Sequence, residues 1–201
     1  MKRGKLIVIY GVNNIGKTTQ AKRMVEYLKA KGYDSEYLKY PIYDSPTGKK
    51  ISDILRSGKE QEISENELQT IYFDNRKEFE PTLKKKLDAG VMVVAEDYIG
   101  TGLSWGFTKG ADYDKLKQQN SVLIQEDLAI LMDGERFLEG KEDVHLHEQN
   151  DGWIRIVRDK LLDMKKESGW EMVPANQPIE NVFDDIKQII DKTEVIQHGN
   201  A

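Results

Sequence analysis

The residues from Gly11 to Thr18 have the types and spacing needed to bind a polyphosphate. They read G-x-x-x-x-G-K-T, the pattern of the phosphate-binding P-loop. Glycines let backbone N–H groups converge on phosphate oxygens, and the N-terminus of a following helix adds positive potential. In this pattern Lys17 reaches the β- and γ-phosphates, and the Thr18 hydroxyl can ligate Mg²⁺. The motif therefore predicts a nucleoside triphosphate site.

The elements on both sides of this loop are those that the motif requires. The apolar run 6–10 leads directly into the loop and predicts a buried strand. Apolar residues at i, i+3, i+4 and i+7 then predict an amphipathic helix: Ala21, Met24, Val25 and Leu28. Gly32 follows as the expected C-terminal cap. Strand, glycine loop and helix in this order favour a true P-loop over a chance glycine-rich turn.

Further apolar runs, separated by helical patterns, predict the rest of a mostly parallel sheet. The expected strands are 37–40, 91–95, 128–131 and, more weakly, 171–173. A long helix is expected from Ser64, whose spacing to Glu67 fits a capping box. Two later helices are expected. The first contains Trp153, Ile156, Val157, Leu161 and Met164, and the last carries on one face Ile179, Val182, Phe183, Ile186 and Ile190. Alternating strands and helices predict a sheet covered on both faces.

Composition narrows the class of protein. A length of 201 residues suits one domain, expected over 1–192, with a frayed tail from 193. The net charge of −5 gives no general electrostatic reason to expect nucleic-acid or anionic-membrane binding. The absence of cysteine excludes disulfides and thiolate metal sites. The apolar run after the basic N-terminus is too short for a signal peptide or a membrane span, so we expect a cytoplasmic protein.

The segment 135–150 is crowded with charges and has no sustained apolar stripe. It lies between the fourth strand and the helix that contains Trp153. We predict a mobile lid here, with an ordinary surface loop as the alternative. Closure that excludes water is useful to a P-loop enzyme that transfers phosphate to something other than water.

Several ordered segments resemble the thymidylate kinase family of nucleoside monophosphate kinases. These are the residues after the P-loop, 19–21, and the segments 40–49, 72–76, 96–98 and 176–180. The similarity covers almost the whole chain and implies an α/β fold. This is the P-loop NTPase three-layer sandwich, a mostly five-stranded parallel sheet flanked by helices, with a short lid. It also implies ATP and dTMP as ligands, Mg²⁺ as cofactor, and a homodimer to which the helix over 72–87 contributes.

The resemblance assigns a role to each candidate residue. It implies ATP-binding residues Gly11, Asn14, Ile15, Gly16, Lys17, Thr18, Thr19 and Gln177. It implies acceptor-binding residues Asn13, Pro41, Tyr43, Tyr72, Arg76, Asp97 and Trp105. It implies catalytic residues Lys17, Glu96 and Arg136, with Thr18 and Glu96 at the metal.

The acceptor side has its own physical basis. Tyr72 and Arg76 are four residues apart on a predicted helix, so they share a face. In the family the aromatic ring stacks on the acceptor base and the arginine holds the acceptor phosphate. The spacing alone also fits a core tyrosine beside a surface arginine, and Trp105 also fits an ordinary core residue. Asn13 stands where the family has an aspartate that binds the sugar 3′-hydroxyl.

The chain departs from the family at Asp97, where thymidylate kinases have a phosphate-binding arginine. A carboxylate that faced a dianionic phosphate would repel it. Alternation along a strand predicts that Glu96 and Asp97 do not both face the site, so Asp97 either points away or acts through Mg²⁺. Both positions suit a carboxylate that orders metal-bound water, and we favour Glu96.

The P-loop also lacks the basic residue that can stabilise transition-state charge. The variable positions 12–15 are all uncharged. We therefore expect Arg136 to supply this charge, with Arg158 as a second candidate. The other basic lid residues are Lys141, His145 and His147, and the two histidines are expected to be solvated surface residues.

Three functions remain open from the sequence. The first is transfer of the ATP γ-phosphoryl group to dTMP. The second is a deoxynucleoside kinase, in which an extra acid such as Asp97 serves as base for a 5′-hydroxyl. The third is an NTP-binding switch without kinase activity, suggested by the missing arginines.

Overall fold

The computed structural model describes residues 2–56, 62–137 and 151–193. Strands and helices alternate along most of these ranges, as predicted. The elements are β1 (Leu6–Tyr10), α1 (Lys17–Ala30), β2 (Ser35–Lys39), α2 (Pro46–Arg56), α3 (Glu65–Asp88), β3 (Met92–Glu96), α4 (Ile99–Thr108), α5 (Tyr113–Asn120), β4 (Leu128–Asp133), α6 (Asp151–Ser168), β5 (Glu171–Pro174) and α7 (Ile179–Lys192).

The five strands form one parallel sheet in the order β2-β3-β1-β4-β5. Every residue of β1 and β3 is buried, because helices cover both faces of the sheet. The carboxyl ends of β1, β2 and β3 therefore lie side by side. These ends lead into the P-loop, the segment at Pro41 and the acidic residue Asp97, so the topology gathers the candidate site at one edge.

The predicted capping box at the start of α3 and the predicted apolar face of α1 are confirmed, whereas α1 ends at the C-cap Lys31, one residue before the predicted Gly32. Ser64 Oγ accepts a hydrogen bond from the Glu67 N–H at 3.3 Å, and Glu67 Oε2 accepts one from the Ser64 N–H at 2.9 Å. This reciprocal pair is the predicted capping box, and it fixes the start of α3. The predicted face of α1 is buried, and Gly32 follows the helix with φ 86°.

Some boundaries and faces differ from the sequence-based prediction. The second strand is Ser35–Lys39, earlier than 37–40, because Tyr40 is already part of the turn before Pro41. The helices α4 and α5 were not predicted. Ile156 and Ile179 are 42% and 56% exposed, so they do not belong to the buried faces of α6 and α7.

Part of the predicted lid lies outside the described residues. The structure describes 135–137, whereas 138–150 fall outside it, together with Lys141, His145 and His147. The predicted tail is described only at Thr193. No helix in the described ranges is long and apolar enough to span a bilayer.

Asp127 ties the start of β1 to the start of β4. Its carboxylate accepts hydrogen bonds from the Leu6 N–H at 2.8 Å, Lys5 Nζ at 3.0 Å and Arg3 Nη1 at 3.1 Å. Burial by itself would raise the pKa of Asp127, but these donors outweigh it and hold the pKa below its usual value.

We expect Asp127→Asn to lower the free energy of unfolding by about 1 kcal/mol at pH 7. Because the folded-state pKa is lowered, the stabilisation is present above the unfolded-state pKa of about 4 and is lost as the pH falls through the folded-state value. Urea unfolding at pH 7 and pH 3 measures the difference. The difference in free energy of unfolding between the wild type and the variant should be smaller at pH 3. Asp163→Asn, on the exposed side of α6, serves as the control. A difference independent of pH would contradict this role.

Candidate active site

A cavity of about 640 Å³ opens where β1, β2 and β3 end. The P-loop forms one wall, and α3 with α4 forms the wall opposite. Thirteen of the predicted site residues line it: Asn13, Asn14, Gly16, Lys17, Thr18, Thr19, Pro41, Tyr43, Tyr72, Arg76, Glu96, Asp97 and Trp105. The triphosphate side and the acceptor side, predicted from separate motifs, therefore share one space.

The P-loop backbone has the shape of an anion-binding nest. Gly11 and Gly16 have φ 146° and 91°, and Asn14 has φ 60°. These are left-handed values that glycine adopts without steric cost and that asparagine tolerates. Gly16 is also the residue that precedes α1, so the first N–H groups of that helix point toward the loop.

Lys17 lies across the concave side of this loop. Its ammonium donates hydrogen bonds to the carbonyl oxygens of Gly11 at 2.9 Å and Val12 at 3.0 Å. The side chain is only 5% exposed and lines the cavity. The Lys17 ammonium therefore lies where it can bind a phosphate oxygen.

Glu96, the last residue of β3, is a buried carboxylate in contact with the P-loop. Its Oε2 accepts hydrogen bonds from the hydroxyls of Thr18 at 2.7 Å and Tyr37 at 2.5 Å. Its Oε1 lies 3.1 Å from Lys39 Nζ. Burial opposes ionisation, but these partners outweigh it and hold the pKa of Glu96 below its usual value. An ionised carboxylate, whose oxygens could coordinate a metal ion, therefore lies beside the Thr18 hydroxyl.

Asp97 faces the cavity together with Glu96, against the expectation from strand alternation. The strand ends at Glu96, and Asp97 has φ 61°, a left-handed value that breaks the alternation. Asp97 Oδ1 accepts a hydrogen bond from the Thr101 hydroxyl at 2.8 Å and lies 3.7 Å from Lys17 Nζ. Burial raises the pKa of Asp97, and the charge of Lys17 offsets only part of that rise. A carboxylate thus occupies the wall where the family resemblance implies an arginine.

Arg76 and Tyr72 project from one face of α3 into the cavity. Arg76 is 4% exposed, which excludes the alternative of a surface arginine. Its Nη1 donates to Asn120 Oδ1 at 3.0 Å, and its buried Nε has no partner within the described ranges. Burial lowers the pKa of Arg76, yet an arginine stays protonated in proteins. The site therefore holds a buried cation whose protein partner is neutral.

Asn75, next to Arg76 on α3, holds the segment around Pro41 in place. Asn75 accepts a hydrogen bond from the Ile42 N–H at 2.8 Å and donates to Ile42 O and Thr47 Oγ1, both at 3.0 Å. The Tyr40–Pro41 peptide bond in this segment is cis. Asn75 is fully buried, so α3 fixes both the cation at Arg76 and the wall at Pro41.

Gly102 on α4 leaves the space that the Arg76 guanidinium occupies. A Cβ built at Gly102 would overlap Arg76 Nη2 and lie 3.2 Å from Gln69 Oε1. The overlapped atom is the far end of a flexible side chain, so the arginine can move away while the helix stays intact.

We expect Gly102→Ala to lower affinity for the acceptor by about tenfold, because the guanidinium must leave its position. The melting temperature should change little, since alanine favours a helix over glycine by about 1 kcal/mol. Titration of the acceptor measures the first effect and thermal unfolding the second. In the variant that also carries Arg76→Met, Gly102→Ala should have no further effect on binding. An additive loss would show that Gly102 acts by another route.

Four predicted residues do not line the cavity. Gly11 and Ile15 contribute backbone to the P-loop, and the Ile15 side chain is buried in the core. Arg136 also lies outside the cavity lining. Gln177 precedes α7, and its amide donates to Pro174 O at 3.0 Å and Asp185 Oδ2 at 2.7 Å.

The second arginine candidate is paired with a carboxylate. Arg158 Nε and Nη2 donate to the two oxygens of Asp133 at 2.6 Å and 2.9 Å. This bidentate pair holds Arg158 at the end of β4.

Several residues that line the cavity were not predicted from the sequence, among them Lys39, Gln69 and Tyr98. A signal was present for Gln69, since it lies three residues before Tyr72 and seven before Arg76 on the same helix face. Lys39 gave no signal, because a lysine at the end of a strand is ordinary in sequence. Trp105 is 8% exposed and also lines the cavity, so both alternatives for it hold together.

The parallel sheet, the phosphate-binding loop and the cavity beside it define a P-loop kinase, an ATP-dependent phosphotransferase. A family model described as thymidylate kinase matches residues 9–186. The chain therefore belongs to the thymidylate kinase family.

Named relatives agree with this placement. The chain is 29% identical to the human thymidylate kinase over 92% of its own length and 89% of that protein. It is 28% identical to the putative thymidylate kinase 251L of Invertebrate iridescent virus 6, over 94% of the chain and 89% of that protein. The solved structure of thymidylate kinase from Candida albicans superposes with a TM-score of 0.80 at 21% identity, covering 98% and 96% of the two chains, and shows the fold.

Proposed function

We propose that this protein transfers the γ-phosphoryl group of ATP to the phosphate of dTMP, giving ADP and dTDP. The observation that carries the proposal is one cavity bounded by the P-loop on one side and by Tyr72 and Arg76 on the other. Two nucleotides that meet end to end require such a shared space, because transfer depends on positioning more than on covalent help.

The ATP side of the proposal uses the loop and its neighbours. The backbone from Gly11 to Gly16, with Asn14 and Ile15, cradles the phosphates, and Thr18 and Thr19 continue that wall. Lys17 neutralises charge on the transferring group. We assign Arg136, in the segment after β4 and outside the lining of the cavity, to the phosphates, and Gln177, which precedes α7, to the adenine.

The acceptor side uses the opposite walls of the cavity. Tyr72 stacks on the base, for which stacking is worth about 1–3 kcal/mol. Arg76 donates charged hydrogen bonds to the acceptor nucleotide. Asn13 binds the sugar hydroxyl. Three further residues shape the pocket around the acceptor: Pro41, Tyr43 and Trp105.

Thr18 and Glu96 fit the requirements of Mg²⁺. Their oxygens are 2.7 Å apart, and Glu96 is ionised beside the loop. Mg²⁺ is bound by few protein ligands together with phosphates and waters, so two protein oxygens suffice for such a site. Bound there, it would neutralise charge on the ATP phosphates.

The proposed step is an in-line displacement. An oxygen of the acceptor phosphate forms a bond to the γ-phosphorus, and the bond from that phosphorus to the β–γ bridging oxygen breaks. The acceptor oxygen is already anionic, so no proton has to be removed. Lys17 and Lys39 offset the negative charge, while the hydrogen bond from the Thr101 hydroxyl holds the Asp97 carboxylate in place.

An acceptor panel tests this proposal. A coupled ADP assay with dTMP, dUMP, CMP, AMP, GMP and thymidine should show the highest kcat/KM for dTMP. ATP binding without transfer to any of the six would instead support a non-catalytic NTP-binding switch and refute the kinase proposal.

A second candidate function is a deoxynucleoside kinase, and the position of Asp97 favours it. Its carboxylate lines the cavity within 3.7 Å of Lys17 Nζ. In that reaction the 5′-hydroxyl oxygen attacks the γ-phosphorus, its proton passes to Asp97, and ADP leaves.

Asp97→Asn separates the two reactions. If the acceptor is dTMP, the variant should keep or increase kcat, because a charge that repels the acceptor phosphate is removed. If the acceptor is a nucleoside, loss of the base should lower kcat for thymidine by about 10²- to 10⁴-fold. Parallel assays with dTMP and thymidine give the answer, and a fall for dTMP of that size would contradict the leading proposal. Asp112→Asn, at the start of α5, is the control.

The remaining parts of the proposal concern the whole molecule. We propose a single domain over 1–192 with a lid at about 135–150, acting in the cytoplasm as a homodimer. The exposed side of α3 contributes to the dimer. Light scattering after size-exclusion chromatography should give about twice the chain mass, and a monomer would refute this part.

A further inference from the structure

Gln69 is a buried polar residue of α3 that faces the same cavity as Tyr72 and Arg76. It is 3% exposed, and it was not among the residues predicted from the sequence. A buried glutamine is uncommon unless its amide is satisfied. The hydrogen-bond partners of this amide therefore indicate the role of Gln69.

Glu65 fixes the orientation of the Gln69 amide. Gln69 Nε2 donates to Glu65 Oε1 at 2.7 Å, one helical turn earlier. The other oxygen, Glu65 Oε2, lies 3.6 Å from the ammonium of Lys109. A lysine ammonium only donates hydrogen bonds, so the Glu65 carboxylate lies between two donors and the amide nitrogen of Gln69 faces it. The amide oxygen is therefore committed to the other direction.

That oxygen and the Arg76 guanidinium border the same space in the cavity wall. The space left by the missing side chain of Gly102 is bordered by Gln69 Oε1 and by Arg76 Nη2. Within the described ranges Gln69 Oε1 accepts no hydrogen bond. The α3 wall thus presents an acceptor next to a cationic donor, and both are held on one helix.

We infer that Gln69 reads the acceptor base: its amide oxygen accepts a hydrogen bond from a ring N–H, while the Arg76 guanidinium faces the adjacent base carbonyl and not the acceptor phosphate that the family resemblance implies. This rests on the proposed function, whose acceptor site it shares. Thymine, uracil and guanine have a ring N–H next to a carbonyl. In cytosine and adenine the corresponding ring nitrogen carries no proton. It would face the amide oxygen of Gln69 as a second acceptor, so no hydrogen bond could form.

The inference makes Glu65 a positioning residue. A side chain at position 65 that could both donate and accept hydrogen bonds would let the Gln69 amide turn over. Gln69 could then present either its oxygen or its nitrogen, and so bind a base with a ring N–H or a base with an unprotonated ring nitrogen. Glu65→Gln introduces that freedom with little change in shape. A merely structural role would weaken all nucleotides alike, whereas an orienting role changes their ranking.

Equilibrium binding of dTMP, dUMP, dGMP, dCMP and dAMP to the full chain tests the inference. The wild type should bind dTMP and dUMP more tightly than dCMP, and dGMP reports whether a purine fits. Gln69→Met, which keeps the length and removes the acceptor, should lower the dTMP-to-dCMP affinity ratio by about ten- to a hundredfold. Glu65→Gln should lower it in the same direction. Gln118→Met, an exposed glutamine of α5, should leave it unchanged.

The inference is overturned if Gln69→Met keeps the wild-type ratio, or if the wild type binds dCMP as well as dTMP. It is also overturned if Gln69→Met weakens every nucleotide by the same factor. Failure of the proposed function looks different, since the wild type would then bind nucleotides with the expected ranking without phosphorylating any of them.

Discussion

Lys17→Met should lower kcat for phosphoryl transfer on the order of 10³-fold or more, the largest effect expected on transfer to dTMP. Removing one preorganised donor that stabilises developing charge costs about 10²- to 10³-fold in other enzymes, and Lys17 carries a full charge. Methionine keeps the apolar stem of a side chain that is only 5% exposed. Rapid-quench measurement of product formation at saturating ATP and dTMP gives the value directly.

The matched control is Lys29→Met on the same helix. Lys29 lies near the end of α1, where it pairs with the exposed Glu26 at 3.0 Å. It should keep wild-type kcat, and both variants should unfold near the wild-type temperature. If Lys17→Met kept more than about a tenth of wild-type turnover, the role of the P-loop in transfer would have to be abandoned.

Arg76→Met should lower kcat/KM for dTMP on the order of 10²-fold while leaving ATP affinity intact. Loss of a buried charged hydrogen bond to a ligand commonly costs about 2–5 kcal/mol. ATP should be unaffected because the P-loop forms the other wall of the cavity. Steady-state kinetics with dTMP varied, and equilibrium titration with ATP, separate the two ligands.

Arg76→Met should also keep or raise the melting temperature. The guanidinium is buried, its partner Asn120 is neutral, and its Nε is unsatisfied within the described ranges. Such a charge is costly to desolvate, so an apolar side chain of similar volume can replace it without loss of stability. The control Arg155→Met, on the exposed side of α6, should change neither dTMP kinetics nor stability. A large fall in stability with unchanged kcat/KM would show that Arg76 is structural.

The sequence was most informative where local chemistry and periodicity agreed. At the P-loop the glycines, the strand and the helix all indicated one structure, and at Ser64 the capping box was confirmed. Local preference and tertiary packing act in the same direction at these positions. The parallel sheet could be predicted for the same reason, since β1 is apolar throughout and β3 is apolar up to Glu96.

Helix α4 could not be predicted because its glycines argue against a helix. Each interior glycine costs about 1 kcal/mol relative to alanine. The structure shows the close contacts that require them: Gly100 lies against Trp170, Gly102 against Arg76, and Gly106 against Leu116. Two of these contacts come from distant parts of the chain and the third from the next helix, so tertiary packing overrides the local preference.

The orientation of Asp97 could not be predicted either. Alternation holds only while the backbone stays extended, and nothing in the types of Glu96 and Asp97 indicates that β3 ends between them. The left-handed backbone at Asp97 turns its side chain into the cavity beside its neighbour. The pairing of Arg158 with Asp133 was hidden for a related reason, since the two residues come from separate elements.

Tracing the γ-phosphate of ATP tests the central claim most directly. Wild-type protein is mixed with γ-labelled ATP, Mg²⁺ and dTMP, and the labelled products are separated by ion exchange. We predict that the label appears in dTDP, in amounts equal to the ADP formed, and that chelation of Mg²⁺ stops its transfer. Label that appears only as inorganic phosphate, or that stays in ATP while both nucleotides are bound, would contradict the assignment of this cavity to phosphoryl transfer between two nucleotides.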